Sequence, residues 1–223
     1  MRYYIADCHF FHENLNTQMD RRGFPDAAAM NDYMIRQWNR KVRDKDEVVI
    51  LGDFSLGTAE QTNQLLEELN GRKYLILGNH DGVVKRRKFR TELFEWIRPY
   101  QELHDQKRKV ILSHYPILCY NSQYRLDRDG APSAYMLYGH VHDTFDQRLI
   151  EHCGAYIRSQ SRTVRSGEER TVPFQLINCF CMYSDYTPLT LDEWIEKSAL
   201  PAARAPVITQ AMSANGRPTP SFI

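Results

Sequence analysis

The chain has 223 residues, 29 Lys and Arg against 28 Asp and Glu, and a formal net charge of +1. That length supports one large domain with its own core, and the ordinary apolar (42%) and charged (26%) fractions exclude wholesale disorder. Near-neutral charge argues against a protein held on nucleic acid by a broad field, and no apolar run reaches the ~18 residues of a membrane span. The five cysteines, an odd number, fit reduced thiols better than a disulfide framework. Residues 1–11 lack the layout of a signal peptide, so the expected location is cytoplasmic.

Residues 2–6 read as a short buried strand that ends at Asp7. Residues 10–25 have no clean period and close with Gly23 and Pro25, as a loop does. Asp26 looks like an N-cap, and Met30, Met34 and Trp38 recur at i, i+4 and i+8, which predicts an amphipathic helix to about residue 41. Residues 47–51 form a second strand, stopped by Gly52 and Asp53. Thr58 and Gln61 form a capping box ahead of Leu65, Leu66 and Leu69, with Gly71 as the stop. Residues 73–77 are a third strand, ended by Gly78 and Asn79. Phe89, Leu93 and Trp96, at i, i+4 and i+7, predict a helix through the basic run at 85–90. Further strands are expected near 98–104, 109–113, 134–139, 155–165 and 174–183, with a long loop at 115–133. Thr190 and Glu193 cap a last helix to about Ser198. Alternating strands and helices indicate an α/β protein. The expectation is one domain over 1–198, a mixed β-sheet sandwich flanked by helices, and a flexible tail over 199–223.

Eight polar residues share one placement. Asp7, His9, Asp53, Asn79, His80, His114, His140 and His142 each follow the end of a strand candidate. In α/β sheets the carboxyl ends of the strands converge on one crevice, where ligands bind. Two carboxylates, an amide oxygen and five imidazoles on one rim need compensation, and divalent metal ions supply it. The Asp7-x-His9 and His140-x-His142 spacings put both side chains of each pair on one face of an extended segment. The mixture of oxygen and imidazole donors suits Mn, Fe, Zn, Co or Ni better than thiolate-loving metals. Seven ligand candidates are too many for one four-coordinate ion and suit two ions that share a carboxylate. Two dications, two carboxylates and a bridging hydroxide sum to about +1, a centre that receives an anion and promotes in-line displacement at phosphorus.

These residues, in this order, resemble the calcineurin-like metallophosphoesterase superfamily. Its blocks read here as Asp7-Cys8-His9, Gly52-Asp53, Gly78-Asn79-His80-Asp81, His114 and Gly139-His140-Val141-His142. The resemblance covers residues 3–142, and the segment after Cys179 also looks like the close of small bacterial members. It implies that Asp7, His9 and His142 hold one ion, that Asn79, His114 and His140 hold the other, and that Asp53 bridges them. It further implies hydrolysis of a phosphomonoester or phosphodiester by a metal-bridging hydroxide. His80, not a ligand, would contact the phosphoryl group and help protonate the leaving oxygen. Water between two dications titrates far below bulk water, so the leaving alkoxide, not the nucleophile, wants a protein acid. Serine/threonine phosphatases of the superfamily extend the second block to G-D-x-x-D-R-G. Residues 52–57 (GDFSLG) lack that Asp and Arg, which argues against a protein phosphatase and leaves the partner of His80 open. Asp81 is adjacent, but neighbours on an extended segment point apart. Two alternatives to a phosphoesterase of small molecules or nucleotides are a catalytically silent protein-binding scaffold and a nuclease using the 85–90 run.

His12 and Asn14 follow the first block in a pattern similar to that of small bacterial members. One reading is a loop over the metals with His12 and Asn14 touching substrate; the other is a plain surface loop. Arg21 and Arg22 close the same loop and could meet phosphate, but read better as a solvated pair. In the 115–133 loop, Tyr115 and Arg125 are substrate-binding candidates, an aromatic for a base or a cation for phosphate, unless the loop's tyrosines simply pack on it. Cys119, Cys153, Cys179 and Cys181 lack zinc-finger spacing and read as core or edge thiols. No membrane partner is expected.

Overall fold

The computed structural model describes residues 1–199, so all of the expected tail except Ala199 lies outside the described residues. The first half contains β1 (Arg2–Ile5), α1 (Ala27–Lys41), β2 (Glu47–Ile50), α2 (Ala59–Glu68), β3 (Arg72–Ile76) and β4 (Trp96–Arg98). The second contains β5 (Tyr100–Asp105), β6 (Arg108–Ser113), β7 (Ala134–Tyr138), α3 (Phe145–Arg158), β8 (Ser161–Thr163), β9 (Glu169–Thr171), β10 (Leu176–Asn178) and α4 (Leu191–Ala199). The caps of α1 and α2 form as the sequence indicates. The Asp26 carboxylate accepts from the Ala29 N–H at 2.7 Å, and Thr58 and Gln61 close a reciprocal capping box.

Two four-stranded sheets face each other. One has the order β1-β2-β3-β4, all parallel; the other has the order β10-β7-β6-β5, parallel except where β5 runs against β6. The period of two along each strand sorts its side chains into layers. Tyr3, Ile5, Val48 and Ile50 pack on Met30, Met34 and Trp38 of α1 and on Leu65 and Leu66 of α2. Tyr4, Val49 and Ile76 point the other way, onto Val110, Leu112 and Leu137 of the second sheet. Ile111, Met136 and Tyr138 cover that sheet's far face together with Tyr120 and Ile150. The layers run helix, sheet, sheet, helix: a mixed α/β sandwich. The Trp194 indole of α4 is buried with the inter-sheet core and donates to the Tyr4 carbonyl at 2.9 Å.

Several expected elements differ. The expected helix through 85–96 is two 3₁₀ turns, Gly82–Lys85 and Thr91–Leu93, followed by β4. Asn63 of α2 explains this: its amide donates to the Lys88 carbonyl at 2.9 Å and accepts from the Arg90 N–H at 3.0 Å. Those main-chain groups are bonded to α2 on both sides of the buried Phe89. Lys88 and Arg90 pair with Glu60 and Glu67 of the same helix, so acids are interleaved with this basic run. The expected strand at 98–104 is two strands in different sheets, and the chain crosses between them at Pro99, which has no N–H to continue a ladder. The expected strand at 155–165 is the end of α3 and then β8; Thr144 caps that helix by accepting from the Asp146 N–H. The strand expected over 174–183 spans only Leu176–Asn178, because Cys181–Ser184 turns as a 3₁₀ helix. No helix among the described residues is long and apolar enough to cross a membrane.

Candidate metal centre

β1, β2 and β3 of the first sheet and β6 and β7 of the second all end at one rim, and the residues that follow them meet there. The backbone at this rim is not extended. Asp7, His9, Asp53, His140 and His142 all have left-handed φ values, at 55°, 49°, 52°, 70° and 47°. The extended geometry expected for Asp7-x-His9 and His140-x-His142 is therefore replaced by turns. Such conformations cost about 1–3 kcal/mol each and persist only where neighbours over-determine them. Here the Asp7 N–H donates to Gly52 O at 3.1 Å and the His9 N–H to Asp53 O at 2.8 Å. The His140 N–H meets both Asp7 carboxylate oxygens at 2.9 and 3.1 Å.

The side chains converge. Asp53 Oδ2 lies 3.5 Å from His9 Nε2 and 3.4 Å from His114 Nε2, while its Oδ1 accepts from the His80 N–H at 2.8 Å. Asn79 Oδ1 is 3.0 Å from His114 Nε2 and 2.9 Å from His140 Nδ1. His142 Nε2 is 3.2 Å from His9 Nε2 and 3.7 Å from Asp7 Oδ1. Asp7, His9 and His142 offer ligand atoms all within 4.8 Å of one another, and so do Asp7, Asp53 and His114.

The donor set fits divalent cations. Burial pushes the Asp7 carboxyl up to about 6 and the His9 imidazole down to about 2. Burial also works against ionised Asp53, but the bond to His114, then the His80 N–H and His9, hold its carboxyl down at about 2. Carboxylate oxygens and two imidazole nitrogens that face each other at 3.2 Å, buried together, are groups that a cation satisfies together.

Of the remaining candidates, three flank this cluster. The rings of exposed His80 and half-buried His12 each lie 5.4 Å from the His9 ring, and the His12 Nδ1 is buried without a partner among the described residues. The Tyr115 ring is 4.5 Å from His140 and 5.1 Å from His114. Asn14 sits exposed on the 3₁₀ turn Glu13–Asn16, and Arg125 is exposed on the 115–133 loop. No side-chain contact joins either to the cluster among the described residues. Tyr120 is buried, with its hydroxyl accepting from the Gln175 N–H, and packs the loop, whereas Tyr124 is exposed beneath Arg162. Cys8, Cys179 and Cys181 are buried thiols, whereas Cys119 and Cys153 are exposed.

Three residues at the centre have roles that the sequence did not show. Asp81 does not hold His80. Its buried carboxylate accepts from the N–H groups of Gly78, Asp53 and Phe54 at 2.8, 2.9 and 2.8 Å, tying the second strand-end loop to the third. Arg22 is not part of a solvated pair: it is buried and donates to the Cys8 and Asp7 carbonyls, while Arg21 is exposed. Asp20 accepts from Arg22 and lies 2.7 Å from His142 Nδ1. Asp81 was visible as the last residue of the Gly78–Asp81 block, but not its main-chain bonds, and nothing local marks Asp20.

A family model described as calcineurin-like phosphoesterase matches residues 3–197. Over 142 residues the chain is 36% identical to the uncharacterized protein MJ1445 of Methanocaldococcus jannaschii, covering 63% of this chain and 68% of that one. It is 29% identical over 164 residues to the gene 66 protein of Mycobacterium phage L5, covering 63% of this chain and 76% of the phage protein. The solved structure of the protein of unknown function AQ665 from Aquifex aeolicus superposes with a TM-score of 0.57 over 89% of this chain and 98% of that one, at 23% identity, a likeness of fold. Because the matched residues include both sheets and every loop that carries the cluster, the chain belongs to the calcineurin-like phosphoesterase family.

Proposed function

We propose that the protein hydrolyses a phosphate ester at this centre. Asp7, His9 and His142 would hold one divalent cation, Asn79, His114 and His140 a second, and Asp53 would stand between them. The observation that carries the reading is the place of Asp53 Oδ2, between His9 Nε2 and His114 Nε2 at 3.5 and 3.4 Å. When bound, such cations supply positive charge for phosphoryl oxygens and acidify water as the nucleophile.

The chain's own residues then divide the remaining work. His80 stands exposed beside His9 with its main chain held by Asp53, so its imidazole can give a proton to the leaving oxygen. His12, its ring 5.4 Å from that of His9, would contact a phosphoryl oxygen; its buried Nδ1 has no partner among the described residues. Tyr115 forms a wall beside His140 and suits a base or another flat leaving group. A phosphorylated small molecule or nucleotide fits these groups. With all five cysteines as free thiols, a reducing compartment such as the cytoplasm suits the chain.

The test pairs metal analysis with turnover of p-nitrophenyl phosphate and bis-p-nitrophenyl phosphate, which also separates monoesterase from diesterase. His80→Ala should keep the metals and lose on the order of 10²–10⁴ in turnover; Asp53→Asn should lose both. Unchanged turnover in both variants rejects these roles. A wild-type chain that binds no metal and turns over neither substrate points to a silent scaffold instead.

A further inference from the structure

We propose that Asp20 is a positioning residue of this centre: it holds His142 with Nε2 aimed at the cluster, and Arg22 locks it to the turn that carries Asp7 and His9. The inference rests on the reading of Asp7, His9 and His142 as a metal site.

Asp20 Oδ1 lies 2.7 Å from His142 Nδ1, within a short hydrogen bond. A carboxylate only accepts, so the proton of this bond sits on Nδ1 and the lone pair is left on Nε2. That nitrogen is the one facing Asp7 Oδ1 and His9 Nε2. The other Asp20 oxygen accepts from Arg22 Nε at 3.0 Å and Nη2 at 2.9 Å, a two-pronged contact between side chains that are 2% and 0% exposed. The same guanidinium donates to Cys8 O at 2.7 Å and Asp7 O at 2.9 Å. One cation thus ties the carbonyls of the first ligand turn to the acid behind His142, which lies 122 positions from Asp20. A buried ion pair keeps its place only when its remaining donors and acceptors are bonded as well, and here they are.

The other imidazoles are held differently. His114 Nδ1 bonds to the Leu51 carbonyl at 2.8 Å, and His9 Nδ1 has no partner among the described residues. Asp7 Oδ1 stands 3.9 Å from His114 Nδ1, beyond hydrogen-bond reach, so among these three rings the carboxylate bonded at Nδ1 belongs to His142. A carboxylate behind a ligating imidazole fixes its tautomer and its ring orientation, so His142 is held with Nε2 turned to the cluster. The 10–25 loop acquires a purpose: its 3₁₀ turn and the bonds from the Arg22 and Gly23 N–H groups to Leu15 O and Asn16 O set Asp20 and Arg22 behind the site.

Asp20→Asn tests this by zinc titration of the full chain, with thermal melting in a chelator alongside. The expected result is about 10–100-fold weaker binding of one of two zinc ions, the second unchanged; a purely structural role would weaken both or only lower the melting temperature. Equal affinity for both ions in the variant and the wild type overturns the proposal and leaves the metal-site reading standing. A wild type that takes up no zinc overturns both. Should Asp20→Asn not fold, nitrogen NMR of histidine in the zinc-loaded wild type decides: His142 with its proton on Nδ1 and zinc on Nε2 supports the proposal, and the reverse arrangement ends it.

Discussion

Asp7 is buried completely, adopts a left-handed φ of 55°, and accepts from the His140 N–H through both carboxylate oxygens. Burial raises its carboxyl from 3.8 to about 6 in the absence of ions. Between those values the folded chain holds a proton that the unfolded chain has released, so this group's contribution to stability falls as pH rises. The window runs from about pH 4 to pH 6, and the loss is on the order of 3 kcal/mol. Asp7→Asn should therefore melt above the wild type at pH 7 in a chelator, while the two converge near pH 4. Melting curves across that range check it. A variant that melts below the wild type at pH 7 would show that the ionised carboxylate's bonds outweigh its desolvation. The same substitution removes a proposed ligand, so the gain in stability should accompany a loss of metal binding.

The strand-end loops pack on one another more tightly than their sequence suggests. A Cβ on Gly78 would stand 2.2 Å from Asp53 Oδ1 and 2.5 Å from Asp53 N; one on Gly139 would stand 2.6 Å from Asp7 Oδ2. Neither neighbour can give way, since both carboxylates are held by main-chain bonds. Gly78→Ala should displace Asp53 and cost roughly 10²-fold in turnover, the scale of a misplacement near 1 Å. Gly82→Ala, with nothing within 4 Å of the added carbon, is the control and should stay within about 0.5 kcal/mol of the wild type. Equal activity in the two variants would contradict this packing. The helices show where local pattern suffices. α1 and α2 declare themselves by side-chain caps and a buried apolar stripe, whereas α3 exposes Phe145, Leu149 and Tyr156, so its apolar residues do not report an inward face.

Across the whole molecule the centre is a seam between two sheets. Asp7, Asp53 and Asn79 follow strands of the first sheet, and His114 and His140 follow strands of the second. Cations bound by both sets would join the sheets only in the folded chain, and a ligand of the native state alone raises stability by mass action. At a hundredfold excess over its dissociation constant one ion contributes about 2.7 kcal/mol, or roughly 5–10 °C for a domain of this size. Thermal melting with manganese or zinc, and again in EDTA, measures it; a melting temperature indifferent to both contradicts the seam.

The sequence alone determined what repeats locally or recurs in order. The apolar runs of β1, β2, β3, β6 and β7, the caps of α1 and α2, and the polar residues after each strand end are all short-range signals. They were enough to anticipate a mixed α/β sandwich and a cluster at its rim. The tertiary structure decided which polar residues stand behind that cluster. Asp20 meets His142 across 122 positions of sequence. Arg22 is buried because the Asp7 and Cys8 carbonyls surround it, and Asp81 faces the main chain of a neighbouring loop instead of His80. Tyr120 packs beneath its loop while Tyr115 reaches the rim. Such pairings obey no periodicity. A buried polar group takes whatever partner the closed fold brings within bonding distance, and that partner is set only once the layers have packed.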